Sequence, residues 1–313
     1  MKKRLHFFIA GGLLIIGIIL GSIFDLQINQ ALFDRYNGFG VVVSSFGMLP
    51  GYGCLAFFGG ALTAIAARDK NMKTWLKVIL YIFSAAAYGI ATYFLGKDVF
   101  SVNGFDRPEL HPWLGCIIMG VIIAPIYVWG YMMGRKNENP KMWIIILVLS
   151  AAIFIALVPG VTLLKSIMHR PRYRIVVFEG YESFHNWWEP CKNYKEIIAN
   201  INEHYDSTVL TSEEFKSFPS GHSSAVMVGT IFLATLPLFD KRLLKWQPLL
   251  FWCAFAWGVV VMFSRMLVGA HYLTDTCMGA LLTIVFYYIA NEIVIYKLLP
   301  KEEVNKEEPV PQE

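Results

Sequence analysis

Long apolar runs alternate with short charged breaks along this chain. A helix that crosses a bilayer needs about 20 mostly apolar residues. Eight stretches qualify: 6–24, 46–67, 74–96, 113–134, 142–164, 222–239, 247–268 and 272–296. Such runs also occur as buried helices in large soluble proteins, but eight of them with brief charged punctuation read as membrane spans. The first follows Lys2, Lys3 and Arg4, as the apolar part of a signal peptide would. No convincing small-residue cleavage site follows Gly21-Ser22, so it reads as a retained helix. The pattern predicts an all-α fold, a polytopic membrane helix bundle.

Lys and Arg in the short connections set the expected orientation. Positive residues gather at Lys2, Lys3 and Arg4, at Arg68, Lys70 and Lys73, at Arg135, Lys136 and Lys141, at Lys241, Arg242 and Lys245, and at Lys297 and Lys301. The connections between them are poorer: 25–45 holds only Arg35, and 97–112 holds Lys97 and Arg107. Both termini are therefore expected in the cytoplasm, with residues 165–221 outside. That outer segment is rich in Trp, Tyr, Glu and Asn, and 193–206 is expected as a short amphipathic helix. Trp187 and Trp188 are expected at the lipid interface, with substrate contact as the alternative. The tail from Lys301 to Glu313 reads as disordered. No internal repeat stands out.

Composition agrees and narrows the classes. The 313 residues are 56% hydrophobic and only 16% charged, against about 25% charged for an average globular domain, and mean hydropathy is +0.50. An ordinary soluble protein, a disordered chain and a collagen-like repeat are excluded. Five cysteines are too few for a disulfide scaffold,. A net charge of +4 without a basic tract gives no reason to expect nucleic acid as a partner,. No Cys/His spacing suggests a zinc site. Cys191 is the only cysteine of the outer segment, and Cys54, Cys116 or Cys277 could pair with it; Cys54, Cys116, Cys253 and Cys277 otherwise read as small helix residues.

Ionisable residues near bilayer depth are costly and point to function. They collect in three places, all at expected outer helix ends. The first is Lys165, His169, Arg170, Arg172 and Arg174. The second is Phe218-Pro219-Ser220-Gly221-His222-Ser223-Ser224. The third runs from Ser264-Arg265 to His271-Tyr272-Leu273-Thr274-Asp275. Singly, each has a plain reading: snorkelling anchors, a capped helix start, a hydrogen bond between adjacent turns. Together they hold what phosphate-ester chemistry needs. Arg172 and Arg265 can clamp phosphate oxygens, and Lys165 adds a point charge. Ser220 and the Gly221 amide sit at a helix N-terminus, which favours anions. Asp275 can fix the His271 tautomer and leave Nε2 to attack phosphorus. His222 can protonate the leaving oxygen. His169 and His185 read as polar loop residues.

The same residues resemble the signature of the type-2 phosphatidic acid phosphatase family, within the superfamily shared with vanadium haloperoxidases. Pro219-Ser220-Gly221-His222 matches its second element, and Ser264-Arg265, His271 and Asp275 match its third. Lys165 and Arg172 match the first in spacing, but Tyr173 stands where proline is expected, and Arg170-Pro171 keeps an Arg-Pro pair at another distance. Arg172 is thus the expected phosphate ligand and Arg170 its substitute. The resemblance implies a nucleophilic histidine, a phosphohistidine intermediate, no required metal or other cofactor, and a core around the last four helices. The expected division is 1–141 for about four N-terminal helices, 142–297 for the phosphatase core and 298–313 for a cytoplasmic tail. Six spans are common in the family's membrane branch, so two here are extra.

The implied partners are membrane lipids and a lipid phosphate substrate: phosphatidic acid, phosphatidylglycerol phosphate or undecaprenyl diphosphate. A sugar phosphate is the weaker enzymatic choice. The compact loops look bacterial, and the expected site is a cell membrane with the active site facing outside. A transporter would spread polar residues through the bundle, and an inactive lipid-binding relative would lack a histidine or Asp275; the sequence does neither.

Overall fold

Inside hydrocarbon a backbone must satisfy its own N–H and C=O groups, so apolar runs of spanning length fold as helices. A computed structural model describes residues 4–101, 105, 107, 110–177, 184–204 and 210–299. It contains eight helices long and apolar enough to cross a membrane, and no strand among the described residues. The protein is an all-α, multi-pass membrane bundle.

Helix α1 spans Leu5–Leu32. It runs past the expected end at 24 because Asp25 and Asn29 find polar partners inside the protein and are buried there. The second apolar run is broken. Helix α2 (Gly38–Phe46) stops before Gly47, and α3 (Leu49–Arg68) restarts with Pro50 in its first turn, where a missing N–H has no partner to lose. Helices α4 (Thr74–Gly96) and α5 (Pro112–Lys136) follow the sequence expectation closely. Helix α6 (Met142–Ile155) passes through a wide turn, Ala156–Gly160, into α7 (Val161–Met168). Pro159 lies in that turn, and a proline both lacks the N–H and crowds the preceding turn. After the short α8 (Tyr173–Val176) come α9 (Tyr194–His204), α10 (Gly221–Thr235), α11 (Gln247–Leu267) and α12 (Leu273–Ile293).

Helices α3, α4 and α5 pack on one another, and α3 also lies against α10. A polar node joins the three: the Thr63 hydroxyl is 2.7 Å from Ser84 Oγ and 2.8 Å from the Tyr127 hydroxyl. Helix α10 is central, flanked by α11, α12 and α3, while α1 runs along α12. At one end of the bundle Arg4 pairs with Glu292 at 2.8 Å, and the Asn137 amide donates to the Leu238 carbonyl at 2.8 Å. The other end gathers the C-terminal ends of α1, α7 and α11 and the N-terminal ends of α10 and α12.

Over that second end lies a small apolar core of Ile175, Cys191, Ile201, Leu210 and Phe215, with Ile197 and Ile198 of α9 packed on it. Amphipathic α9 therefore covers protein. Trp187 departs from the interfacial expectation. It stacks on Phe218 with ring centroids 5.5 Å apart, and its Nε1 donates to Ser22 Oγ at 2.8 Å. Trp188 stays 49% exposed. All five cysteines are free thiols, so Cys191 pairs with none of the candidates. The tail expected to be disordered lies, from residue 300 onwards, outside the described residues.

Candidate active site

The start of α10 is fixed by its cap and by α12. Ser220 accepts the Ser223 N–H at 3.3 Å and the Ser223 hydroxyl at 3.0 Å, as an N-cap serine does. Its own N–H donates to the Asp275 backbone carbonyl at 2.9 Å. The approach is close enough that a Cβ on Gly279 would sit 2.2 Å from the Ser220 carbonyl oxygen. At Gly221, by contrast, a Cβ would meet only Val161 Cγ1, at 3.7 Å. The space in front of the helix end is open.

The turn from α11 to α12 places the second histidine. The Arg265 carbonyl accepts the N–H groups of Ala270 and His271 at 3.1 and 3.3 Å. Gly269 has φ +64°, and a Cβ there would meet the Phe33 ring at 2.5 Å; glycine is the residue that fits this backbone. Asn29 of α1 donates to the His271 carbonyl at 3.1 Å. Asp275 caps α12: its Oδ2 accepts the Tyr272 N–H at 2.9 Å and the Ser217 hydroxyl at 2.5 Å. The same oxygen lies 3.7 Å from His271 Nδ1. That exceeds a hydrogen bond, and such pairs often tighten only once substrate is in place.

Arg170, the expected substitute for Arg172, is engaged within the protein. Its Nη1 donates to Asp275 Oδ1 at 2.6 Å and to Thr274 Oγ1 at 2.8 Å. Its Nη2 donates to Asp25 Oδ2 at 2.9 Å, and its Nε to the His185 carbonyl at 2.8 Å. The guanidinium also lies over the Tyr272 ring, 4.0 Å from its centroid. Every nitrogen is engaged within the protein, and the side chain is fully buried. Asp25 in turn accepts the Thr274 N–H at 3.1 Å and the Thr274 hydroxyl.

The remaining cations hang on the stretch 213–217. Lys165 Nζ donates to the Lys216 carbonyl at 2.8 Å. Arg172 Nε donates to the Glu213 carbonyl at 3.1 Å, and the Arg172 N–H to the Glu214 carbonyl at 2.9 Å. The Ser217 N–H donates to the Arg170 carbonyl at 3.0 Å. Arg174 grips Glu214 with two bonds of 2.7 Å. Burial alone would push the Glu214 carboxyl up, yet Arg172 and Arg174 hold it below the usual carboxylate range. Lys165 and Arg172 thus hang on one stretch of backbone, whose next residue, Ser217, bonds Asp275, while the Arg265 carbonyl holds the turn that carries His271. The His222 Nε2 atom is buried without a hydrogen-bond partner among the described residues.

The structure thus brings His222, His271, Asp275, Lys165, Arg172, Ser220, Gly221 and Arg265 to one end of the bundle. His169 stays apart, stacked on Tyr194 at 3.9 Å, and His185 contributes its backbone. The sequence reading left out Asp25 and Ser217 and gave Thr274, within the third cluster, no role of its own. Asp25 carried a signal, as a lone carboxylate directly after an apolar run. Among the described residues no group of three His, Cys, Asp or Glu side chains is placed to hold a metal ion. A family model described as PAP2 superfamily matches residues 141–298. No curated protein and no solved structure matches the chain.

Proposed function

From the premise that the chain belongs to the PAP2 superfamily, and so is a membrane-embedded phosphatase, we propose that it hydrolyses a lipid phosphomonoester or diphosphate through a phosphohistidine. The observation that carries this reading is that one end of the bundle gathers Lys165 and Arg172 on the backbone of 213–216, Ser217 beside them bonded to Asp275, Arg265 at the turn that carries His271, and a buried His222 Nε2 with no partner among the described residues.

Phosphoryl transfer spreads charge over the phosphate oxygens, so positioning and charge stabilisation do most of the work. The two guanidiniums and the ammonium bind those oxygens, helped by the amides at the start of α10. His271, oriented through Nδ1 by Asp275, attacks phosphorus with Nε2. The P–N bond forms as the P–O bond to the lipid breaks, and His222 gives the leaving oxygen its proton. Water then attacks the phosphohistidine, losing a proton to His222, and inorganic phosphate leaves. Three side-chain cations supply the charge, which makes a metal ion unnecessary.

A lipid suits this site because it sits where the ends of five helices meet the interface. Phosphatidic acid, phosphatidylglycerol phosphate and undecaprenyl diphosphate all present a phosphate at that depth. The assay is a panel of these lipids, plus a soluble sugar phosphate, with purified protein, EDTA and vanadate. We expect release of phosphate from a lipid in EDTA, inhibition by vanadate, and a labelled phosphoenzyme that His271→Ala abolishes. His222→Ala should lower turnover about a hundred-fold or more, as loss of general acid catalysis does. Near wild-type turnover by His271→Ala would overturn the mechanism.

A further inference from the structure

We propose that Asp25, on α1 and outside the family-matched segment, is a positioning residue for the reaction: it balances Arg170 so that Asp275 can serve His271. The inference rests on the proposed role of His271.

The argument begins with a count of buried charges. Arg170 is one cation between two carboxylates, Asp25 at 2.9 Å and Asp275 at 2.6 Å, all three nearly or fully buried. With Asp275 alone, the guanidinium would neutralise the carboxylate that has to support an imidazole. With Asp25 on the other side, the group of three keeps one net negative charge. Thr274 ties Arg170 to Asp25: its hydroxyl accepts from Arg170 and donates to Asp25, and its N–H donates to Asp25 as well. Thr274 is also the residue before Asp275, so Asp25 fixes the backbone on which Asp275 stands. One turn farther along α1, Asn29 holds the carbonyl of His271. Two side chains of one helix face thus grip the nucleophile's turn from behind.

The rest of the surroundings do not compensate. Facing this group are Tyr272 and Phe184 over the guanidinium, Ser217 on Asp275 and the backbone of His185 on Arg170. None of these is negative; the exposed Glu189 also acts on Arg170 but is screened by water, and the charges that act on His271 from the other side, Arg172, Arg265 and Lys165, are cations,. A negative charge held behind a histidine raises its basicity, and a carboxylate that bonds its Nδ1–H fixes its tautomer.

Asp25→Asn keeps the shape and removes the charge. The chain has seven histidines, so His271 can be followed by 15N NMR in histidine-labelled protein, assigned with His271→Gln. In Asp25→Asn, Arg170 bears fully on Asp275, and the His271 titration midpoint should move to lower pH. The rate of phosphoenzyme formation should fall about ten- to a hundred-fold, with KM little changed. In the double variant Asp25→Asn/Arg170→Gln, Asp275 is left without its counter-charge, and the midpoint should move back up, to or above the wild-type value. Should the single variant fail to accumulate, the double variant is compared with Arg170→Gln: the midpoint must lie lower in the double variant, which lacks the Asp25 charge, and equal midpoints would overturn the proposal. A midpoint that neither variant moves would reduce Asp25 to a packing residue and overturn the proposal. If wild-type protein forms no phosphohistidine, the proposed reaction falls, while the titration still decides whether Asp25 acts on His271.

Discussion

Two glycines of the site separate what holds the protein together from what lets substrate in. Gly279 faces the Ser220 carbonyl, where an added Cβ would lie at 2.2 Å, whereas at Gly221 it would meet only Val161, at 3.7 Å. Gly279→Ala must push α10 away from α12, and overpacking of this kind costs about 1–3 kcal/mol. It should lower the melting temperature in detergent and turnover together. Gly221→Ala should leave melting unchanged and still lower turnover, because its methyl fills the space before the helix amides. Equal melting temperatures for both variants would contradict the close contact of α10 with α12. At this scale the sequence was partly readable. His271 and Asp275, or Ser220, Gly221 and His222, sit within a few residues of one another, so the local turn and helix start bring them together. Asp25 and Asp275 meet only because α1 returns beside α12, a pairing that local spacing does not express. The carbonyls of 213, 214 and 216 that hold Lys165 and Arg172 were harder still, since any residue type has a carbonyl.

Among the elements, the spans were legible because each is a long uniform run, and Thr74–Gly96 begins and ends where hydropathy does. The break between α2 and α3 and the wide turn at Ala156–Gly160 were not, because both lie inside apolar sequence and arise from Pro50, Gly47 and Pro159. The outer segment was legible as helix α9 but not as a structure strapped to α1. Trp187 makes that strap through its stack on Phe218 and its bond to Ser22. Trp187→Phe should cost about 1 kcal/mol of local stability, the usual worth of one hydrogen bond. Trp187→Ala should cost more, by losing the stack as well. Amide hydrogen exchange at 184–190 should accelerate in that order, and equal rates in all three proteins would show that the segment is held elsewhere.

For the molecule as a whole, charge asymmetry predicts which face the site occupies. Arg4, Arg68, Arg135 and Lys136 lie at the ends remote from His222 and His271, and the cytoplasmic side of a membrane protein is the side rich in such residues. In a background without the native cysteines, Lys195→Cys on α9 should react with a membrane-impermeant maleimide in intact cells. Glu138→Cys, after α5, should react only once the cells are permeabilised. The opposite pattern would place the site on the cytoplasmic face and shift the accessible substrate to the inner leaflet. The path of α1 has one more consequence. The segment matched by the family model, 141–298, does not include Asp25 and Asn29, so the proposed support of His271 reaches beyond it. Grafted onto another set of N-terminal helices, residues 141–298 would carry every motif and still lack one carboxylate of the group behind His271. In this chain a first helix cannot be exchanged as a mere anchor, and related chains should be compared by what their first helix offers to that arginine.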